Sequence, residues 1–232
     1  MRTASFAVVS IFVFAGQVNI DAERLAAVAQ SAQTVIDPRD GQTYPVVQLA
    51  GRSWLARNLD FKAAASWCYN NDEAQCRDFG RLYSLEAARI ACMPGWELPS
   101  EADWLVLAAA FGGHYELAER RNVGDPRASY AALLEGGASG FGARLGGSRI
   151  LETGTSIDLE ADGMYWSRSS CGAGQTSFMV FNEHNRRLLR DCDTPTFANS
   201  VRCIRSGDAV APDSRMEPTR PEPSQHAAHS QR

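Results

Sequence analysis

The chain contains 232 residues, of which 44% are hydrophobic, 22% charged and 9% aromatic. This composition excludes a wholly disordered chain, and the length suits one domain with flanking segments. The 23 basic and 27 acidic residues leave a formal charge of only -4, so we expect neither nucleic acid nor an acidic membrane as the main partner.

The first 15 residues predict a secretory signal peptide. Arg2 supplies a positive start, and an apolar run from Ala4 to Ala15 follows it. The run is shorter than the roughly 20 apolar residues that a transmembrane helix needs, so we expect no membrane insertion after cleavage. The product is then secreted, into a periplasm or beyond the cell. A buried N-terminal helix is the alternative.

Two further segments flank the predicted domain. Residues 16–34 are rich in Ala and Gln and predict a leader segment with at most a short helix. Residues 207–232 contain four of the ten prolines and no aromatic residue, so we expect a disordered tail. The domain itself is therefore predicted to span residues 35–206.

The first half of the domain predicts strands followed by two helices. Asp40-Gly41 is a turn dipeptide, and two short strands are expected on either side of Ala50-Gly51. Ser84 is placed to cap a helix in SLEAARIAC. In LPSEADWLVLAAAF, Ser100 and Asp103 have the spacing of reciprocal N-terminal caps, and two glycines end this second helix.

The second half predicts an irregular region and then strands. Glycines are dense in EGGASGFGARLGGSR, and short strands are expected in MYWSRSS, TSFMVFN, RLLRD and SVRCIRS. The predicted class is α+β, with a twisted antiparallel sheet built from both chain ends, two helices and a long irregular loop region.

The expected chemical state of the six cysteines depends on the cellular compartment. Outside the cytoplasm an even number of cysteines fits three disulfides, but six cysteines allow 15 pairings, and arithmetic does not choose among them. The chain contains no CxxC motif and no histidine pair at ligand spacing, so we expect no metal and no cofactor. One or more free thiols are the alternative.

Six blocks of sequence, taken in order, resemble the Fibrobacter succinogenes major paralogous domain family. The resemblance covers about Val35 to Arg205, and the blocks are DPRDGQTYPVVQLAGRSWLARNL, CYNNDEAQC, FGRLYSLEAARIACMPGWELPSEADWLVL, GFGARLGGSR, MYWSRSS and SVRCIRS. It implies a secreted or surface domain of unknown molecular function. The implied fold is similar to that of C-type lectins and formylglycine-generating enzymes.

The resemblance also implies a disulfide pattern. In C-type-lectin-like domains the end of the first helix is bridged to the last strand, which corresponds here to Cys92 with Cys203. Cys68 and Cys76 flank a short polar loop and are expected to form a local bridge. Cys171 and Cys192 remain and flank the TSFMVFN strand region, and their pairing stays open.

We find no catalytic set in the sequence. The two histidines between the flanking segments, His114 and His184, are seventy residues apart and lack the Glu companion of the iron-binding relatives. The sugar-selecting triplets of calcium-dependent lectins are missing, and the acidic turn around Asp158, Glu160 and Asp162 is expected to be solvated. Tryptophans in the shared blocks are expected to be core anchors: Trp54, Trp96, Trp104 and Trp166.

The candidate ligand-binding residues lie in the polar segment FNEHNRRLLRDCD. Arginine forks could bind carboxylate or phosphate groups, and the amides could bind sugar hydroxyls. The candidates are Asn182, His184, Asn185, Arg186, Arg187 and Arg190. A solvated hairpin is the alternative, since 22 of the 23 basic residues are arginine.

These observations favour an exported, non-enzymatic recognition or adhesion module with a glycan or protein ligand. Two alternatives stay open at this point. One is a metal-dependent oxidase or transferase of the formylglycine-generating type, and the other is a structural envelope protein.

Overall fold

The structure, a computed structural model, describes residues 33–207. The predicted signal peptide (1–15), nearly all of the predicted leader (16–34) and all but the first residue of the predicted tail (207–232) lie outside the described residues. The first strand starts at Gln33, two residues before the predicted start of the domain. No helix within residues 33–207 is long and apolar enough to cross a membrane.

The described residues form fifteen strands, four α-helices and one short 3-10 turn at Tyr69–Asn71. The strands are β1 (Gln33–Ile36), β2 (Thr43–Leu49), β3 (Arg52–Leu55), β4 (Ser66–Trp67), β5 (Leu82–Tyr83), β6 (Trp96–Glu97), β7 (Gly113–Glu116), β8 (Arg121–Gly124), β9 (Gly146–Ile150), β10 (Ser156–Leu159), β11 (Asp162–Gly172), β12 (Gln175–Asn182), β13 (Arg187–Asp193), β14 (Phe197–Ser200) and β15 (Ile204–Arg205). The helices are α1 (Glu73–Phe79), α2 (Leu85–Ala91), α3 (Glu101–Ala110) and α4 (Pro126–Leu133).

The strands form two sheets instead of the single predicted one. The first has five strands in the order β1-β2-β3-β15-β6, so it joins both ends of the described chain. The second has ten strands along the path β4-β5-β14-β9-β11-β12-β13-β7-β8, with β10 beside β9. Most pairs are antiparallel, but β9 and β14 run parallel to β11, and β7 runs parallel to β13. The α+β class and the mainly antiparallel pairing are confirmed.

The two predicted helices form where their capping residues place them. The Ser84 side chain accepts a hydrogen bond from the Ala87 backbone N–H at the start of α2. At the start of α3, Ser100 and Asp103 cap each other's backbone N–H groups, as the spacing predicts. Two consecutive glycines follow α3 and lead directly into β7. Local side-chain hydrogen bonds thus determine where these helices begin.

Two more helices are present than the sequence analysis predicts, and both have caps of their own. The Asp125 side chain accepts hydrogen bonds from the backbone N–H groups of Arg127 (3.0 Å) and Ala128 (3.2 Å) at the start of α4. Pro126 then occupies the first helical turn, where its missing N–H costs nothing. Asp72 caps α1 in the same way. The Asp-Pro pair was a readable signal for α4.

The long strands β11, β12 and β13 are apolar on both faces, and this explains why two layers cover them. Alternate residues of a strand point to opposite faces. One face contributes Trp166, Phe178, Val180 and Leu189 to a cluster with the side chains of α2. The other face contributes Tyr165, Met179, Phe181 and Leu188 to a cluster with Trp54, α3 and α4. A single sheet with one apolar face would leave one of these sets uncovered.

Three of the four tryptophans predicted as core anchors are buried. Trp54, Trp104 and Trp166 are each at most 1% exposed, whereas Trp96 is half-buried. The glycine-rich stretch is irregular as far as Leu145 and then enters β9. Even in the irregular part Phe141 is fully buried, so this stretch contributes to the core.

Three disulfides are present, and they include the two expected pairs and the pair that the sequence left open. Cys68 bonds Cys76, Cys92 bonds Cys203, and Cys171 bonds Cys192. No cysteine within residues 33–207 is free. The bridge from Cys92 ties the end of α2 to the residue before β15, and so joins a helix to the first sheet. Three disulfides are typical of proteins outside the cytoplasm.

Candidate ligand-binding site

The six candidate residues from the sequence lie on the hairpin that joins β12 to β13, but in different surroundings. Asn182 ends β12 and Arg187 starts β13, and the two are paired in register. His184, Asn185 and Arg186 belong to the turn between them, where Arg186 has a positive φ of 53°. Arg190 lies three residues into β13.

The turn residues border an open basic cavity next to α4. His184, Asn185 and Arg186 line this cavity of 420 Å³ together with Arg127, Tyr130 and Ala131. Arg127, His184 and Arg186 are exposed to solvent. The Tyr130 hydroxyl donates a hydrogen bond to the Glu183 carboxylate, and burial together with this anionic acceptor raises the pKa of Tyr130. The cavity has a polar rim and is largely open to solvent.

The other two arginines are engaged by the fold. The Arg190 guanidinium lies 3.1 Å from the Glu101 carboxylate and 3.0 Å from that of Glu116, so it connects β13 to α3 and β7. The Arg187 guanidinium carbon lies 5.1 Å from the centre of the Tyr115 ring. The structure therefore places these two side chains in contacts between elements.

A second cavity lies on one face of β11, β12 and β13, and the strand register defines it. In the first row, Asn182 on β12 lies between Asp162 on β11 and Arg187 on β13. The next row on the same face contains Met164, Val180 and Leu189, and the row after it contains Trp166, Phe178 and Asp191. Cross-strand neighbours of this kind have side chains in direct contact.

We call this second site the acidic cavity; its volume is 270 Å³. Its floor is apolar and is formed mainly by Met164, Trp166, Phe178, Val180 and Leu189. Its polar lining consists of three aspartates and two asparagines, with one threonine: Asp162, Asp191, Asp193, Asn182, Asn199 and Thr194. An apolar concave surface with a few convergent polar groups is the usual form of a small-ligand site.

The three aspartates of the acidic cavity make hydrogen bonds but no ion pair with the residues that the structure describes. Asp162 accepts from the Asn182 side-chain amide at 2.6 Å, and Asp191 accepts from the Cys192 backbone N–H at 2.7 Å. Burial raises the pKa of both Asp162 and Asp191. Their negative charge is thus only partly balanced inside the protein.

One buried amide of the acidic cavity has an unused donor. Asn199 is 1% exposed, and its Oδ1 accepts a hydrogen bond from the Ser148 hydroxyl at 2.7 Å. No hydrogen bond from its Nδ2 to another residue within 33–207 is found, although Asn199 lines the cavity. Nδ2 is not among the fully buried polar atoms that lack a partner, so it borders the cavity and can donate to water or to a ligand.

A family model described as the Fibrobacter succinogenes major domain matches residues 32–205. The chain belongs to this family. The resemblance expected from the six sequence blocks is therefore confirmed. No curated protein and no solved structure shows significant similarity to the chain.

The Fibrobacter succinogenes major domain of this chain includes every described strand and helix, and both cavities. Only one group of three close metal-ligand types is found among the described residues, and it comprises Cys68, Glu73 and Cys76. The two sulfur atoms of that group are bonded to each other. The turn with Asp158 and Glu160 forms no such group.

The two histidines of this domain lie apart from the acidic cavity. The His114 imidazole is 3.8 Å from the Glu116 carboxylate, and burial lowers the pKa of His114. His184 lines the basic cavity. Neither histidine lines the acidic cavity, whose only titratable side chains are aspartates.

Of the residues that line the acidic cavity, only Asn182 was predicted from the sequence as a ligand-binding residue. Asp162 was expected to be solvated, but it is half-buried and lines the cavity. The missing signal is the two-residue period in three strands: 162, 164 and 166 in β11, 178, 180 and 182 in β12, and 189, 191 and 193 in β13. Within each strand these residues are two positions apart, so their side chains lie on the same face of the sheet. The register that aligns these three sets depends on tertiary pairing and cannot be read from one strand alone.

Proposed function

We propose that this chain is an exported, non-enzymatic recognition or adhesion module that binds a glycan or protein ligand in the acidic cavity. The observation that carries the proposal is the combination at one face of β11–β13 of an apolar floor, three aspartates without ionic partners among the described residues, and the buried Asn199 donor. These groups can hold a ligand by burial and by hydrogen bonds at once.

The electrostatics support a binding role for these aspartates. Burial raises the pKa of Asp162 and Asp191, so their charged forms are less stable here than in water. Such an arrangement reduces the stability of the free protein, and perturbed carboxylates in a cleft are frequent at functional sites. A ligand that donates hydrogen bonds or carries positive charge restores the interactions that burial removed.

Export and a lectin-like scaffold belong to the same proposal. The three disulfides support an oxidising compartment. The link from the end of α2, at Cys92, to Cys203 next to the last strand supports a scaffold of the C-type-lectin-like group, in which this connection is expected. The signal peptide predicted in residues 1–15 provides the route.

An oxidase of the formylglycine-generating type receives less support from the residues. Such an enzyme uses a pair of cysteine thiols, whereas all six cysteines here are in disulfides. A general base also needs a reacting group beside it, and the acidic cavity is lined by no histidine, cysteine or serine. A structural envelope protein would have no need of the acidic cavity.

The proposal is tested by applying the exported full chain to an array of neutral, acidic and amine-bearing glycans. We expect saturable binding to at least one class. Asp191→Asn should weaken it by about tenfold, which corresponds to about 1.4 kcal/mol. The matched control is Asp78→Asn, which removes the same charge from an exposed position on α1, outside the acidic cavity.

Two results would contradict the proposal. Binding that Asp191→Asn and Asp78→Asn leave equally strong would place recognition elsewhere. The lack of any saturable glycan binding, together with turnover of a substrate, would favour an enzyme. Elemental analysis for copper and iron with a thiol titration then identifies the formylglycine-type alternative, which predicts redox metal and two free thiols.

A further inference from the structure

We propose that the acidic cavity binds a sugar unit that carries a protonated primary amine, an inference that rests on the recognition function proposed above. The charge of the lining, the apolar floor and the buried Asn199 donor each correspond to a different part of such a ligand. Taken together, they favour an amino sugar over a neutral sugar and over a lysine side chain.

The charge of the lining selects a cationic group. Three aspartates line the acidic cavity, and no Lys, Arg or His is among its described lining residues. Both arginines of β13 are held outside the cavity: Arg190 by the carboxylates of Glu101 at 3.1 Å and Glu116 at 3.0 Å, and Arg187 against the Tyr115 ring at 5.1 Å. A neutral sugar would leave the lining charge unbalanced, whereas an ammonium group compensates it with short, charge-assisted hydrogen bonds.

The floor selects a ligand with a flat apolar face. Phe178, Val180 and Leu189 are 9%, 8% and 8% exposed, so a ligand in the cavity can contact these side chains although they are largely buried. Trp166 lies beneath them, and its ring is 5.9 Å from that of Phe178. The C–H face of a sugar ring packs on such a surface, and a positive charge near aromatic rings is attracted by their π-electrons.

The unused amide donor distinguishes an amino sugar from lysine. The Asn199 Nδ2 group can donate to a ligand in the cavity, while its Oδ1 accepts from the Ser148 hydroxyl. A lysine ammonium group has three donors and no acceptor. An amino sugar has hydroxyl oxygens next to the amine, so one ligand can satisfy both the aspartates and the amide.

The test compares a short glucosamine oligomer with its N-acetylated counterpart by calorimetry on the exported full chain, at a pH where the amine is protonated and the aspartates are ionised. N-acetylation removes the positive charge by converting the ammonium group to an amide, and it adds an acetyl group. We expect the glucosamine oligomer to bind saturably, and the N-acetylated oligomer and a lysine oligomer each to bind at least about tenfold more weakly, a difference of about 1.4 kcal/mol.

Two variants connect this binding to the acidic cavity. Asp193→Asn changes an exposed rim residue and should fold normally, and we expect it to weaken binding of the glucosamine oligomer but not of the N-acetylated one. Asp78→Asn should leave both affinities unchanged. Asp191→Asn provides a second, more buried position on the same strand face.

The outcomes separate this inference from the proposed function. Equal or tighter binding of the N-acetylated oligomer, still sensitive to Asp191→Asn, would overturn the amine inference and leave recognition at the acidic cavity intact. Equal or tighter binding of the lysine oligomer would overturn the choice of a sugar. Failure of every glycan on the array would overturn the amino-sugar inference and leave only a protein ligand for the proposed recognition function.

Discussion

At the scale of single residues, Asp191 is a position where stability and binding are expected to conflict. Burial is the main cause that raises the pKa of Asp191, and the negative charge of Asp193 adds to it. The hydrogen bond from the Cys192 backbone N–H and the charge of Arg190 act in the opposite direction. Because the net effect is a raised pKa, the folded protein holds this proton more tightly than the unfolded chain does.

This shift predicts how Asp191→Asn changes stability with pH. The favourable contribution of a raised carboxyl pKa is complete below the ordinary value of 3.8 and is lost as the pH rises through the folded-state pKa. At neutral pH the wild-type carboxylate is therefore destabilising, and we expect Asp191→Asn to have a higher free energy of unfolding than the wild type. The difference should vanish on acidification below 3.8.

Denaturant unfolding of both proteins across this pH range measures the effect. Asp78→Asn is again the control, because it removes the same charge from an exposed position on α1. A variant that is less stable than the wild type at neutral pH would mean that Asp191 stabilises the fold, and it would weaken the argument for a ligand-binding carboxylate.

At the scale of elements, the junction between α3, β7 and β8 depends on close backbone contact. Gly113 has a φ of 135°, and a Cβ atom added to it would lie 1.8 Å from the Val123 carbonyl oxygen on β8. Gly95, in the turn before β6, also has a positive φ, of 81°, but no atom lies within 4 Å of an added Cβ. A substitution at Gly95 therefore tests backbone strain alone, whereas a substitution at Gly113 tests backbone strain together with steric overlap.

We expect replacement of each glycine by alanine to reduce the free energy of unfolding by a different amount. Gly95→Ala should cost about 1–2 kcal/mol, because an L-residue is strained at that backbone angle. Gly113→Ala has a comparable backbone cost and also forces β7 and β8 apart, which adds about 1–3 kcal/mol. Denaturant unfolding measures both free energies. Equal losses would mean that the hairpin moves freely enough to accept the methyl group.

Element boundaries were the part of the fold that could be predicted best. Ser84, Ser100 and Asp103 each bond a backbone N–H group only three residues away. Their capping roles therefore do not require tertiary information. The Asp125-Pro126 start of α4 was equally local and could have been recognised. The pairing of β11 with β9 and β14 could not, because those parallel contacts join distant parts of the chain.

At the scale of the whole molecule, three disulfides of very different span stabilise the fold. Cys92 and Cys203 are 111 residues apart, whereas Cys68 and Cys76 are separated by 8. In the chain-entropy description, a longer closed loop removes more freedom from the unfolded chain. The long bridge is therefore expected to contribute more to the free energy of unfolding than the short one.

Paired alanine substitutions test this order. Removal of Cys92 and Cys203 together should reduce the free energy of unfolding by about 4.8 kcal/mol, and removal of Cys68 and Cys76 by about 2.5 kcal/mol. Urea unfolding under oxidising conditions compares the two double variants with the wild type. A larger loss from the short bridge would show that its local packing, and not loop closure, dominates its contribution.

The sequence alone determined the family, the α+β class, and the main caps and strands, because each depends on local chemistry or on an ordered series of blocks. The pairing of Cys92 with Cys203 was implied by the family resemblance, and the pairing of Cys171 with Cys192 was decided by the structure. The tertiary structure decided the division into two sheets and the composition of the acidic cavity. Asp162, Asn182, Asp191 and Asn199 come from four strands and meet only through register and pairing. A ligand site built across strands depends on long-range contacts, which no single stretch of sequence encodes.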